Sequence, residues 1–223
     1  MKKIFSAIFI VTLFASAFAQ DITTASKFFQ SVSESYGRIS TYEADLSVTA
    51  DGKTMTAKVS YKRPSLLRMD FSNPQNQVIL FNGDMLTIYL PGMSTNLQQS
   101  VTSTTDKAGM DLATPQGLAL MSRYYTIAYE IGQSPVPLSD DNQEKVVKLI
   151  LYPRNPAEAF RQIKLAITPD NKLIRRIEAT TTQGQTFVFY FTNYNLNVEI
   201  PDQRFVYDSP ATSNNYNNFL FSE

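Results

Sequence analysis

The sequence predicts a mainly-β, α+β domain in which one large antiparallel sheet curls on itself and carries two helices. Three observations point there. Short segments alternate apolar and polar residues along most of the chain, as in Met55, Ala57, Val59 and Tyr61 against Thr56, Lys58, Ser60 and Lys62. Turn pairs such as Asp51-Gly52 and Asn82-Gly83 fall between consecutive segments, and both residues of such a turn must tolerate positive φ. Only two stretches, near the N-terminus and after Thr114, carry a helical pattern.

Taken in order, Met1-Lys2-Lys3, an apolar stretch and Ala17-Phe18-Ala19 form the pattern of a cleavable secretory signal over residues 1–19, so the mature chain is expected to begin at Gln20. The apolar run is short for a spanning helix of about 20 residues. The chain has no Cys, hence no disulfide and no acylated cysteine after the signal, and a soluble exported protein is expected. Ile22, Ala25, Phe29, Val32 and Tyr36 then recur at helical spacing, with Asp21 or Thr23 as N-cap and Gly37 as the stop.

Strand segments follow at Tyr42 to Val48, Met55 to Tyr61, Leu67 to Phe71, Val78 to Phe81 and Met85 to Leu90. Residues 91–111 show no clear period and are read as a long loop of functional or mobile character. Thr114-Pro115 opens a short helix through Leu118, Leu120 and Met121, with Thr114 as cap and Pro115 in the first turn. Further strands are expected at Tyr125 to Ile131, Val146 to Tyr152, Ile163 to Ile167, Leu173 to Ala179 and Phe187 to Phe191, about ten or eleven in all. Residues 20–210 form one domain, followed by an Asn-rich tail over 211–223.

Several strands, among them Val78-Ile79-Leu80-Phe81 and Phe187 to Phe191, are apolar on both faces. Either helices and loops cover both sides, or part of the inner face is covered by a replaceable apolar ligand. Arg63 sharpens the question, because it continues the apolar row of Val59 and Tyr61. A guanidinium there needs carbonyl or carboxylate partners, which points to a polar catch on a lid over an apolar cavity; a shift of register at Pro64 would instead turn it to solvent. Leu67, Met69 and Phe71 run on from Arg63-Pro64 toward the same mouth, and Met adapts to irregular apolar partners.

The chemistry of catalysis is thin. With no His and no Cys, the usual neutral-pH base, thiolate nucleophile and transition-metal ligands are missing, and no cofactor or metal is expected. Glu43 and Asp45 share one strand face and are the remaining candidates for a carboxylate pair, or are ordinary wet surface. The 20 basic and 20 acidic residues become 18 against 20 once Lys2 and Lys3 leave with the signal, so nucleic acid is not an expected partner.

In order and spacing, the chain resembles the periplasmic outer-membrane lipoprotein carriers, the LolA-like family. The matching residues are Tyr61-Lys62-Arg63-Pro64, Leu66-Leu67-Arg68-Met69, Pro74, Gln77 and Val78-Ile79-Leu80, then Asn82-Gly83-Asp84, Leu86, Tyr89 and Thr114-Pro115. Leu151-Tyr152-Pro153-Arg154, Gly184-Gln185-Thr186, Phe191-Thr192-Asn193-Tyr194-Asn195, Phe205 and Pro210 complete the set. The resemblance implies an open, incomplete antiparallel barrel with helices as a lid over its concave apolar face, and a monomer that binds lipoprotein acyl chains. It also implies an inner-membrane lipoprotein-releasing transporter as donor; the outer-membrane acceptor stays open. By the same resemblance Arg63 would hydrogen-bond lid backbone, either near Leu118 to Met121 or in the first helix. Val59, Tyr61, Leu67, Met69, Phe71, Leu118 and Met121 would line the acyl-chain cavity. A lipid or lipoprotein sensor of the same fold is the alternative. Leu67, Met69 and Thr87 stand where that family usually has aromatic residues.

Overall fold

A computed structural model describes residues 23–101 and 113–219. The expected signal, the expected cap at Asp21, the first helical residue Ile22 and residues 102–111 of the expected loop lie outside them. Helix α1 (Ala25–Arg38) begins at Thr24, not Thr23, because the Thr24 hydroxyl accepts from the Lys27 amide, 3.2 Å away. It runs one residue past Gly37, whose φ is not positive, and is closed by the Ile39 amide donating to the Tyr36 carbonyl. Ala25, Phe28, Phe29, Val32 and Tyr36 make its buried stripe, and Arg38 sits favourably at its negative end.

Strands β1 (Thr41–Ala50), β2 (Lys53–Lys62), β3 (Leu66–Asn73), β4 (Val78–Phe81), β5 (Met85–Leu90) and β6 (Thr95–Ser100) form a meander. Helix α2 (Pro115–Tyr124) follows, then β7 (Tyr125–Tyr129), β8 (Val136–Pro137), β9 (Lys145–Pro153), β10 (Phe160–Ile167), β11 (Ile174–Thr181), β12 (Thr186–Leu196) and β13 (Asn214–Asn217). The thirteen strands make one sheet in the order β13-β6-β5-β4-β3-β2-β1-β12-β11-β10-β9-β7, with β8 on β9. All pairs are antiparallel except β13 with β6. No ladder joins β13 to β7 among the described residues, so the barrel is open.

Strand β6 and the residues 91–93, a single 3-10 turn, stand where a structureless loop was expected. TNLQQS hides the strand signal because its burial is polar: Thr95, Asn96 and Gln99 are all buried within the sheet. Asp51 and Gly52 both adopt positive φ, as a two-residue hairpin demands, whereas at Asn82-Gly83 only Gly83 does. There the Asn82 side chain closes the turn instead, accepting from the amides of Asp84 and Met85.

Register turns alternation into a concave apolar face. Tyr42 opposes Tyr61, Tyr61 opposes Leu67, Leu67 opposes Phe81 and Phe81 opposes Leu86 across β1 to β5. In the other direction Leu46 opposes Phe191, and further rows run through Ile177, Leu165 and Leu149. A β-bulge between β1 and β12, with Asn193 at φ +52°, shifts Tyr194 onto this inner face. Its hydroxyl donates to the Ile174 carbonyl at 2.9 Å and lies beside the Tyr36 hydroxyl, which accepts from the Ile174 amide. Burial pushes both phenols above their ordinary pKa, and the pair ties α1 to β11.

The two-faced strands are explained by cover on the convex side. Val78, Leu80 and Tyr89 pack outward against Ile200 and Phe205 of the segment after β12. That segment is strapped down by charge: Arg68 and Arg204 share Asp70 at 2.9 and 2.6 Å, Arg68 also donates to the Arg204 and Val206 carbonyls, and Lys62 reaches Asp202. Around Val146 the outer cover is Leu138 and Ala166.

Candidate functional site

Helices α1 and α2 pack on each other and on β7, so they fill one end of the concave face. Toward β1–β5 the face is left hollow, and a cavity of about 220 Å³ remains. Its walls come from five neighbouring strands, with Tyr42 and Leu46 of β1, Val59 of β2, Leu67 and Met69 of β3, Ile79 and Phe81 of β4, and Leu86 and Ile88 of β5. Ile177, Phe189 and Phe191 close the far side, and Ala113 and Thr114, at the entry to α2, form the cover.

Of the residues expected to line a cavity, Val59, Leu67 and Met69 do so. Tyr61, Phe71, Leu118 and Met121 do not; all four are buried in the packed core. Tyr61 is displaced because its ring stacks on Tyr42, 5.2 Å away at 28°, and its hydroxyl turns to the Pro64 carbonyl. Leu118 and Met121 face the core beneath α2, and among the described residues the cover comes from Ala113 and Thr114. The β4, β5 and β12 contributions were hidden in sequence by apolar residues on both faces. Alternate positions decide the matter: Ile79, Phe81, Leu86 and Ile88 point in, and Val78, Leu80 and Tyr89 point out.

Arg63, directly after β2, is exposed rather than under the apolar face. Its amide donates to Ser40 O at 2.9 Å, and its guanidinium donates to the carbonyls of Gly37 and Ile39, the latter at 3.0 Å. These are terminal carbonyls of α1, which lack helical partners and lie at the negative end of its dipole, so a cation is well placed there. It joins the first helix to the barrel rim, away from Leu118 to Met121.

Glu43 and Asp45 lie on the convex face, opposite the cavity; Glu43 accepts weakly from Ser60, and Asp45 accepts from Asn193 at 2.7 Å. Among the described residues no group of three or more His, Cys, Asp or Glu could hold a metal, and no helix is long and apolar enough to cross a membrane.

A family model described as outer membrane lipoprotein carrier protein LolA matches residues 47–208. The chain belongs to the LolA family. Among relatives of this LolA-family chain, an outer-membrane lipoprotein carrier protein from Pseudomonas putida (strain GB-1) is 24% identical over 211 residues, 92% of either chain. An uncharacterized conserved protein from Thermus thermophilus has a similar crystal structure, with TM-score 0.55, 11% identity and coverage of 84% of this chain and 98% of that one. The MucA/MucB complex of Pseudomonas aeruginosa gives TM-score 0.51 at 14% identity, covering 82% of this chain and 61% of that chain. At these identities the solved structures show a shared fold.

Proposed function

We propose that this protein is a periplasmic carrier that takes lipoprotein acyl chains into the apolar cavity and moves them from an inner-membrane releasing transporter to an outer-membrane acceptor. The observation that carries the reading is a cavity walled almost wholly by aliphatic and aromatic side chains, with Ala113 and Thr114 over it. Each methylene moved out of water into such a site is worth about 0.8 kcal/mol, so an acylated protein cannot cross an aqueous compartment unaided at a useful rate. The cavity's 220 Å³ lies below the roughly 300–1,000 Å³ usual for ligand sites, so loading requires the cover to move. Opening then competes with binding: contacts that hold the cover down lower net affinity and make release onward possible. The name of the Pseudomonas putida relative supports the same reading. The N-terminal pattern supports export with cleavage after Ala19, and the protein acts as a monomeric binder, not an enzyme.

Arg63 is assigned the role of fastening α1 to the rim in the closed form. In a reconstituted transfer assay, Arg63→Leu should still load lipoprotein but pass it on more slowly, because the end of α1 is no longer tied to the rim. Wild-type transfer by that variant would sink the assignment. A second reading, a sensor of envelope lipid or lipoprotein, has in its favour the fold shared with MucB, a protein solved in complex with MucA. Retention of bound lipoprotein in the presence of acceptor membranes would select the sensor.

A further inference from the structure

We propose that the Tyr42 hydroxyl is the catch that holds the cover over the cavity, and that Arg63 fastens a different part of the fold. This rests on the cavity being the carrier's acyl site. The argument starts from placement. Arg63 bonds Gly37 O and Ile39 O, at the corner between α1 and β1, whereas the described residues over the cavity are Ala113 and Thr114. Tyr42 lines the cavity from β1 and its hydroxyl donates to Ala113 O at 3.2 Å, spanning 71 residues of sequence.

The side chain is built for that task. Its ring is 1% exposed and held between Tyr61, with centroids 5.2 Å apart, and Tyr194, at 5.5 Å, so the hydroxyl is aimed with little rotamer freedom to lose. Beyond Ala113, Thr114 caps α2 by accepting from the Gly117 amide, and the Leu118 amide donates to Thr114 O. A pull on Ala113 is therefore transmitted directly to the first turn of α2. In an otherwise apolar site, lifting the cover strips both the phenol and the Ala113 carbonyl of this bond, and that penalty opposes opening. An acyl chain entering between Leu46, Met69 and Phe191 must break it.

Native-state hydrogen exchange on the full-length exported protein tests the assignment, with Tyr42→Phe keeping the stacked ring and removing the hydroxyl alone. The Leu118 amide should exchange roughly three- to tenfold faster, the fold-change of one lost hydrogen bond, while Ile39 at the α1–β1 corner is unchanged. Arg63→Leu should give the reverse pattern. Fluorescence of cis-parinaric acid, a fatty acid probe, should rise faster on mixing with Tyr42→Phe than with wild type. An unchanged Leu118 amide would overturn the proposal, as would an equal acceleration at Leu149 and Leu165, which reports global loosening. If no form of the protein takes up the probe, the acyl-site reading fails, and the exchange pattern still decides what Tyr42 does.

Discussion

Two halves of the same concave face differ in what covers them. On β9 and β10 the inward residues Leu149, Leu151, Ile163 and Leu165 are 0–1% exposed, sealed beneath the helices. On β3 to β5 the inward residues Met69, Ile79 and Ile88 stay half-buried and face a void. Strand pattern and residue chemistry are alike in both halves; the difference lies in the helices, which pack together on β7, while among the described residues Ala113 and Thr114 cover the other end. One half stores the stability of the fold, and the other is available to a ligand.

Mutations that treat the halves alike should therefore give unlike results. Leu149→Ala removes a fully packed side chain and should destabilise the protein by about 2–5 kcal/mol in chemical denaturation, whereas Met69→Ala, which already faces open space, should cost about 1 kcal/mol or less. Equal losses would erase the distinction. Ile79→Trp sharpens it from the other side: the indole enters existing space, so stability should change by less than the roughly 1–3 kcal/mol of overpacking a filled core, while fatty acid binding falls to background in a fluorescence titration.

The smallest effect concerns the filled half alone. Burial, with help from the Glu158 charge, pushes the Tyr125 phenol up to about 12 from 10.0, against its hydrogen bond to Phe160 O. The fold favours the neutral phenol, so its contribution to stability is complete below pH 10 and is lost as pH climbs through about 12. Denaturation midpoints followed across that window should fall less steeply for Tyr125→Phe than for wild type. An identical slope would remove Tyr125 from the account.

The hollow half was the harder one to see in sequence. Alternation alone placed Val59, Leu67 and Met69 on the right face, and the strand sequence of the meander followed from it. The rest of the wall depends on pairings between residues far apart in the chain, such as Leu46 with Phe191, which periodicity does not encode. Ile79 and Phe81 were ambiguous because Val78 and Leu80 are equally apolar, and the cause is a convex cover from Ile200 and Phe205 that carries no strand signal. Strand β6 was missed because Gln99 takes an inward position opposite Leu86, breaking the apolar rhythm. Arg63 stayed open between the apolar row and a turn to solvent at Pro64 because alternation does not show that β2 ends at Lys62; its exposed guanidinium meets the free carbonyls at the end of α1.

The pairing of β13 with β6 bears on how the molecule lives among other polypeptides. An open sheet has two margins whose free amides and carbonyls invite foreign strands. Here one margin is occupied by the chain's own Asn214–Asn217, anchored by the Asn214 amide on Ser94 O and the Asn218 amide on Gln98 O, and the other lies where both helices pack on β7. A tethered segment outcompetes an untethered one through its local concentration. Among the described residues the β6 edge is thus paired from within the chain and not left for a foreign strand.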